Sequence, residues 1–207
     1  MAPESKVYVV DDEIGIRESV RLLVETVDLD VETFASFQEF RSAYDADRPA
    51  CLVLDIRMPE IGGIEALETL KAEDVTIPVI VITAYADVPT AIRAMKGGAV
   101  DFLEKPFNNQ ILLDCIQQCL AQDAEKKRQQ VERYAILARL ALLTLRERQV
   151  FDLLATGKTN SVVSRHMGIG RRTVDSHRAT LMRKLGVGSA AEIGRIATLS
   201  ELYQGRP

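Results

Sequence analysis

The sequence predicts two domains: an N-terminal α/β domain, doubly wound around a five-stranded parallel sheet, and a small all-α domain joined to it by a long helix. Three observations predict this. Five short apolar runs recur in the first 107 residues, with amphipathic stretches between them. From Asn108 to Leu143 there is neither proline nor glycine. Beyond Thr144 the chain turns basic and is punctuated by Gly157, Gly168, Gly170, Gly186 and Gly188.

The apolar runs are VYVV (7–10), VETF (31–34), CLVL (51–54), PVIVI (78–82) and VDFL (100–103). Each is short enough for a buried strand, and the intervening segments are long enough for crossover helices, which together argue for parallel pairing. Alternation of strand and helix then gives a sheet covered on both faces. In the proline-free stretch, Ile111, Leu112, Ile116, Cys119 and Leu120 form a helical apolar stripe. It fades into AQDAEKKRQQVER (121–133), polar on nearly every face, as expected of a bridging helix or of an association surface completed by Val131, Tyr134, Ile136, Leu137 and Leu140. Thr-Leu-Arg-Glu at 144–147 has the spacing of a capping box and opens the next helix. The expected domains are therefore 1–121, a helical linker over 122–143, and 144–207.

With 207 residues, 47% of them hydrophobic and 27% charged, the chain can pack one or two cores. No uncharged apolar run approaches a membrane span and the first residues form no secretory segment, so the expectation is a cytoplasmic protein without a membrane partner. Cys51, Cys115 and Cys119 lack metal-site spacing and read as reduced, buried thiols. The net charge of −4 conceals an asymmetry. Residues 1–123 hold 10 Lys and Arg against 23 Asp and Glu, whereas residues 124–207 hold 16 against 7. A basic C-terminal module suggests a polyanionic partner.

In a parallel sheet of this kind, ligands bind outside the carboxyl ends of the strands. There the sequence places Asp11 and Asp12, Asp55, Thr83 and Lys105. Carboxylates that close cannot all remain ionised without a cation, and a hard oxygen cluster suits Mg²⁺ (or Mn²⁺). With the repulsion offset, one carboxylate can attack a phosphoryl group while Lys105 and Thr83 partner its oxygens.

These residues resemble the receiver domains of two-component systems over residues 5–120, through VVDDE (9–13), LVLDIRMPEIGG (52–63), VITA (81–84) and DFLEKPF (101–107). The resemblance implies a flavodoxin-like receiver with strand order 2-1-3-4-5. It implies Asp55 as phosphoacceptor, Mg²⁺ bound by Asp12, Asp55 and the Arg57 backbone carbonyl, with Asp11 acting through water, and Lys105 on the phosphoryl group beside a cis Lys105–Pro106 bond. It further implies a switch in which Thr83 moves toward the phosphate and Phe102 turns inward, reshaping the face of the fourth helix, fifth strand and fifth helix. Haloacid-dehalogenase-type phosphatases also use an aspartate nucleophile at a strand end with Mg²⁺. They need a second acid two positions later, where this chain has Arg57.

In the basic module, Asn160–Met167 suits a short helix with Val162, Val163 and Met167 inward. Gly168-Ile169-Gly170 suits a tight turn, and Arg171–Leu185 a second helix. Val174, Leu181 and Leu185 share one face of it, and Arg171, Arg172, Asp175, Ser176, Arg178, Ala179 and Arg183 fall largely on the remainder. That is the pattern of a helix-turn-helix, motif 160–179, whose second helix enters the major groove.

The module resembles the LuxR-type helix-turn-helix in LTLRERQV, GKTN and RRTVDSHRATLMRKLGV, with a closing helix from about Ala190 to Leu202. With the receiver, this is the pattern of the NarL/FixJ class. The resemblance implies an all-α four-helix DNA module, a last helix able to mediate dimerisation, and base-facing positions at Asp175, Ser176 and Ala179. Asn160, Arg171, Arg172, Thr173, Arg178, Arg183 and Lys184 complete the expected DNA-contacting set. Ser161 and Ser164 stand where the family often has Lys and Ala.

The function expected is that of a transcriptional regulator rather than an enzyme. It accepts phosphoryl from a sensor histidine kinase on Asp55, dimerises, binds promoter DNA and acts, through RNA polymerase, as an activator. The alternatives are a constitutive DNA binder with a receiver scaffold, against which the complete acidic pocket argues, and an output module that meets a protein, against which the basic C-terminal half argues.

Overall fold

The structure, a computed structural model, describes residues 5–204, with side chains as far as Ser200. The chain divides into two compact units that part between Lys127 and Arg128.

The first unit contains β1 (Lys6–Val10), α1 (Ile14–Glu25), β2 (Asp30–Phe34), α2 (Phe37–Ala43), β3 (Ala50–Asp55), α3 (Gly63–Ala72), β4 (Val79–Thr83), α4 (Val88–Gly97), β5 (Asp101–Glu104) and the first part of α5 (Asn109–Ala141). All neighbouring strands are parallel, in the order β2-β1-β3-β4-β5. The flavodoxin-like order and the five strands match expectation.

Successive strand residues point to opposite faces, so a strand buried on both reads as an unbroken apolar run. Tyr8, Val10, Leu52, Leu54, Val79 and Val81 pack under α2, α3 and α4, against Phe37, Phe40, Ala66, Leu67, Leu70 and Ala94. Val7, Val9, Cys51, Val53, Ile80 and Ile82 face the other way, against Val20 and Val24 of α1 and Leu112, Ile116, Cys119 and Leu120 of α5. Ile111 is exposed, contrary to the expected stripe. Adjacent residues on a helix are about 100° apart, and Leu112 takes the inward direction.

The expected boundary at 121/122 falls inside α5. Buried Asp123 accepts the Ala50 N–H at 2.9 Å, and Lys127 pairs with Asp123 at 3.2 Å while donating to the Ala46 and Arg48 carbonyls at 2.6 and 2.5 Å. These bonds keep α5 part of the first unit as far as Lys127.

The second unit contains the end of α5, then α6 (Leu145–Ala155), α7 (Asn160–Met167), α8 (Arg171–Leu185) and α9 (Ala190–Gln204). Its core joins Ile136 and Leu140 of α5 to Val150, Phe151, Leu154, Val163, Val174, Leu181, Leu185, Ile193 and Ile196. The capping box is present: the Thr144 hydroxyl accepts the Glu147 N–H, and the Glu147 carboxylate accepts the Thr144 N–H. Val162 is exposed while Val163 is fully buried, correcting the expectation that both face inward. Neighbouring valines on one helix cannot share a direction. The α7–α8 turn uses Gly168 at φ 65°, a left-handed conformation natural to glycine. It is closed by the Ser164 hydroxyl donating to the Ile169 carbonyl at 2.6 Å.

Candidate functional site

Register brings the pocket together. Val10 lies opposite Leu54, Asp55 opposite Ile82, and Thr83 opposite Glu104. The carboxyl ends of β1, β3, β4 and β5 therefore align, and the next residues, Asp11, Asp12 and Lys105, fall on the same edge. Carboxylate oxygens of Asp11, Asp12 and Asp55 lie within 4.8 Å of one another. Asp11 and Thr83 are fully buried, Asp55 is 4% exposed, and Asp12 is open to solvent.

Lys105 bridges two of these acids, with Nζ 2.6 Å from Asp11 Oδ2 and 2.9 Å from Asp55 Oδ1. Its own backbone N–H donates to the Thr83 carbonyl at 2.7 Å, and the Lys105–Pro106 bond is cis, as the resemblance implied. Burial would lower the Lys105 ammonium, but the hydrogen bonds it gives Asp11 and Asp55 carry it above its ordinary value. Burial pushes the Asp55 carboxyl up, opposed by the hydrogen bond and charge of Lys105, and Asp11 adds to the rise. The other Asp55 oxygen accepts the Arg57 N–H at 2.9 Å. Asp11 accepts the Glu13 N–H at 2.9 Å, and Arg17 donates to the Asp11 and Asp12 carbonyls at 2.7 and 2.9 Å. The donor set is carboxylate oxygen, three groups deep, and it fits a small hard divalent cation.

Phe102 is half-buried against the α2–α4 side of the core, and the Thr83 hydroxyl accepts the Tyr85 N–H at 3.3 Å. Two features escape sequence reasoning. Gly63 starts α3 with its N–H bonded to the Ile56 carbonyl at 2.8 Å. A Cβ there would meet Ile56 Cα at 2.8 Å and the Asp55 carbonyl oxygen closer still. The Gly62-Gly63 pair is the signal that could have revealed this close backbone approach. The Arg57 guanidinium lies over the exposed Tyr85 ring, 4.2 Å from its centroid, at the pocket's rim. No periodicity links those two residues.

In the second unit, α8 buries Val174, Leu181 and Leu185 and exposes Arg171, Arg172, Thr173, Asp175, Ser176, Ala179 and Arg183. Asn160, at the start of α7, donates to Asp175 at 2.6 Å and accepts from Arg178 at 2.9 Å. Lys184 stands apart from this face. Its ammonium pairs with Glu147 at 2.6 Å and donates to the Leu142 carbonyl at 3.0 Å, tying α8 to the start of α6.

A doubly wound sheet with an acidic triad and a lysine at its carboxyl edge, followed by a basic helix-turn-helix, defines a DNA-binding response regulator. Comparison with known proteins gives the same answer in both halves. Residues 7–117 match the response regulator receiver domain, and residues 141–197 match the luxR family of bacterial regulatory proteins. The transcriptional regulatory protein FixJ of Azorhizobium caulinodans is 40% identical over 199 residues, covering 96% of this chain and 94% of that protein. Among solved structures, the response regulator StyR is 39% identical with a TM-score of 0.87, covering 94% of this chain and 98% of that one. Full-length FixJ from B. japonicum is 35% identical with a TM-score of 0.59, covering 97% and 99%.

The chain belongs to the NarL/FixJ class of two-component response regulators. It is a phosphorylation-dependent transcriptional regulator, with a kinase and promoter DNA as its general partners. Receiver domains bind Mg²⁺ at acidic residues, and the Asp11, Asp12 and Asp55 cluster supplies them here.

Proposed function

We propose that Asp55 is the phosphoacceptor and that its phosphorylation drives dimerisation and activation of transcription. The observation that carries the reading is the Lys105 ammonium, set between the buried carboxylates of Asp11 and Asp55 at the edge where Asp12 completes an acidic triad. An Asp55 carboxylate oxygen attacks phosphorus, the bond from phosphorus to the kinase histidine nitrogen breaks, and an acyl phosphate forms. Lys105 then exchanges its Asp55 contact for a phosphoryl oxygen, and Thr83 turns its hydroxyl to another. Asp12, Asp55 and the Arg57 carbonyl would hold Mg²⁺ (or Mn²⁺), with Asp11 in support through water. When bound, the ion neutralises the equatorial oxygens of the transferring group. The receiver acts only on its own phosphorylation and dephosphorylation.

Thr83 reorients toward the phosphate, and Phe102, half-buried, follows inward. The face so altered carries Val88, Ile92 and Met95 of α4, Val100 before β5, and Ile111 of α5, all exposed. Apolar residues gathered on one face suit association with a second copy. Pairing the receivers raises the effective concentration of the second DNA module, so paired half-sites are occupied without a new base contact.

Arg171, Arg172 and Arg183 neutralise phosphates, and Thr173, Asp175, Ser176 and Ala179 face the bases. Asn160 and Arg178 support them from behind, and Lys184 fixes the end of α8 against α6. In this reading the receiver spans 1–121, the linker 122–143 and the DNA module 144–207. The protein works in the cytoplasm, where it recruits RNA polymerase. Among the described residues no helix is long and apolar enough to cross a membrane.

Sedimentation mass tests the reading. The wild type becomes a dimer with Mg²⁺ and beryllofluoride, and Asp55→Ala stays monomeric. A mass unchanged in both, without Mg²⁺-dependent uptake of the phosphoryl mimic, reduces the receiver to a scaffold.

A further inference from the structure

An acidic residue on the DNA-facing side of α8 is electrostatically misplaced unless it has a donor to meet. Asp175 is exposed on the face that carries Arg172, Ser176, Ala179 and Arg183, and phosphates would repel it. It is not left free. Asn160 Nδ2 donates to Asp175 Oδ1 at 2.6 Å, and Arg178 Nη1 donates to Asn160 Oδ1 at 2.9 Å. Arginine can only donate and a carboxylate can only accept, so a single orientation of the Asn160 amide satisfies both. The triad joins the first residue of α7 to the fifth and eighth residues of α8. It holds one carboxylate oxygen in place and leaves the other to accept.

In the major groove, the base-edge groups that donate are the N4 amino group of cytosine and the N6 amino group of adenine. Adenine places its N7 acceptor beside N6, where it faces the carboxylate unfavourably. Cytosine offers N4 with no neighbouring acceptor on the same base. Arg178, fixed behind Asn160, adds positive charge that offsets the repulsion between Asp175 and the phosphates.

We propose that Asp175 is the specificity-determining residue of this module, reading one cytosine in each half-site. Asn160 is its positioning residue, and Arg178 orients Asn160. The proposal rests on the reading of α8 as the recognition helix.

The test is selection from duplexes with randomised half-site positions, using the full-length protein with Mg²⁺ and a small phosphodonor. The wild type selects cytosine at one fixed position, favoured by about tenfold over the other bases. Asp175→Ala loses that preference while still binding duplex DNA. Asp175→Asn moves it toward adenine, because an amide donates to N7 and accepts from N6. Asn160→Ala weakens the cytosine preference several-fold while the preferences at the other half-site positions persist. A preference that survives Asp175→Ala, or no cytosine preference in the wild type, overturns the assignment. A lower melting temperature for Asn160→Ala with full base preference overturns the positioning role. Failure to bind any duplex overturns the recognition-helix reading itself, and this assignment with it.

Discussion

Lys105 Nζ lies 2.9 Å from Asp55 Oδ1, so the carboxylate read as the phosphoacceptor is already paired with a cation that reaches it past β4 from the end of β5. The same ammonium holds Asp11 at 2.6 Å. Lys105→Ala leaves two buried carboxylates facing each other. Breaking a buried pair by removing one partner costs about 3 kcal/mol. Thermal melting of Lys105→Ala will therefore fall well below wild type without Mg²⁺, and added Mg²⁺ will recover much of the loss. Phosphoryl uptake by this variant slows at least about tenfold, since the transferring oxygens lose a preset cation.

The raised value of the Asp55 carboxyl sets a pH dependence. Its folded value lies above the unfolded one. Its contribution to stability is fully present below the unfolded carboxyl range and is lost as pH rises through the folded value. As pH rises above the ordinary carboxyl range, denaturant unfolding of Asp55→Asn without Mg²⁺ will show a flatter decline in stability than wild type. Equal slopes would remove burial of the ionised Asp55 as a destabilising element. Lys105 works at the other extreme, because its raised folded value keeps its contribution until the pH exceeds the ordinary lysine range.

Gly63 and Gly62 form a matched pair of substitutions. A Cβ at Gly63 would meet Ile56 Cα at 2.8 Å, whereas one at Gly62 meets the Ile56 carbonyl oxygen at 3.4 Å. Gly63→Ala forces the start of α3 away from the end of β3, costing about 2 kcal/mol by overpacking and slowing phosphorylation. Gly62→Ala changes the unfolding midpoint far less. Equal effects would show that close approach is not what requires glycine at residue 63.

The strand ends of the pocket are legible in the sequence because alternation of faces and parallel pairing leave little freedom. Once VYVV, CLVL and PVIVI are strands, Asp11, Asp55 and Thr83 share an edge. Bounds shift by a residue, as at β3, which includes Asp55 itself. Inward and outward assignment on helices is less secure. Ile111 and Val162 are exposed beside buried Leu112 and Val163 because a 3.6-residue turn separates neighbours that a run of apolar letters groups together. The extent of the first unit along α5 depends on Asp123 reaching the first residue of β3 and Lys127 the loop before it, long-range bonds that no local pattern encodes. The bonds of the Asn160–Asp175–Arg178 triad are equally hidden, since the sequence marks each residue as DNA-contacting but nothing in it pairs residues 15 and 18 positions apart.

Arg171 and Arg172 make a separate prediction about salt. If each neutralises one phosphate, the double substitution Arg171→Ala/Arg172→Ala lowers the slope of log affinity against log salt by about 1.8, near 0.9 per contact. Titrations with an unrelated duplex at several salt concentrations measure it. An unchanged slope would place the phosphate contacts elsewhere on the module.

The most direct test of the account is equilibrium binding to promoter DNA at one fixed salt concentration, for wild type and Asp55→Ala, each with and without Mg²⁺ and a small phosphodonor. The phosphodonor-treated wild type alone gains affinity, with pairing of half-sites. Four equal affinities, or an equal gain in Asp55→Ala, would contradict control of DNA binding by phosphorylation of Asp55.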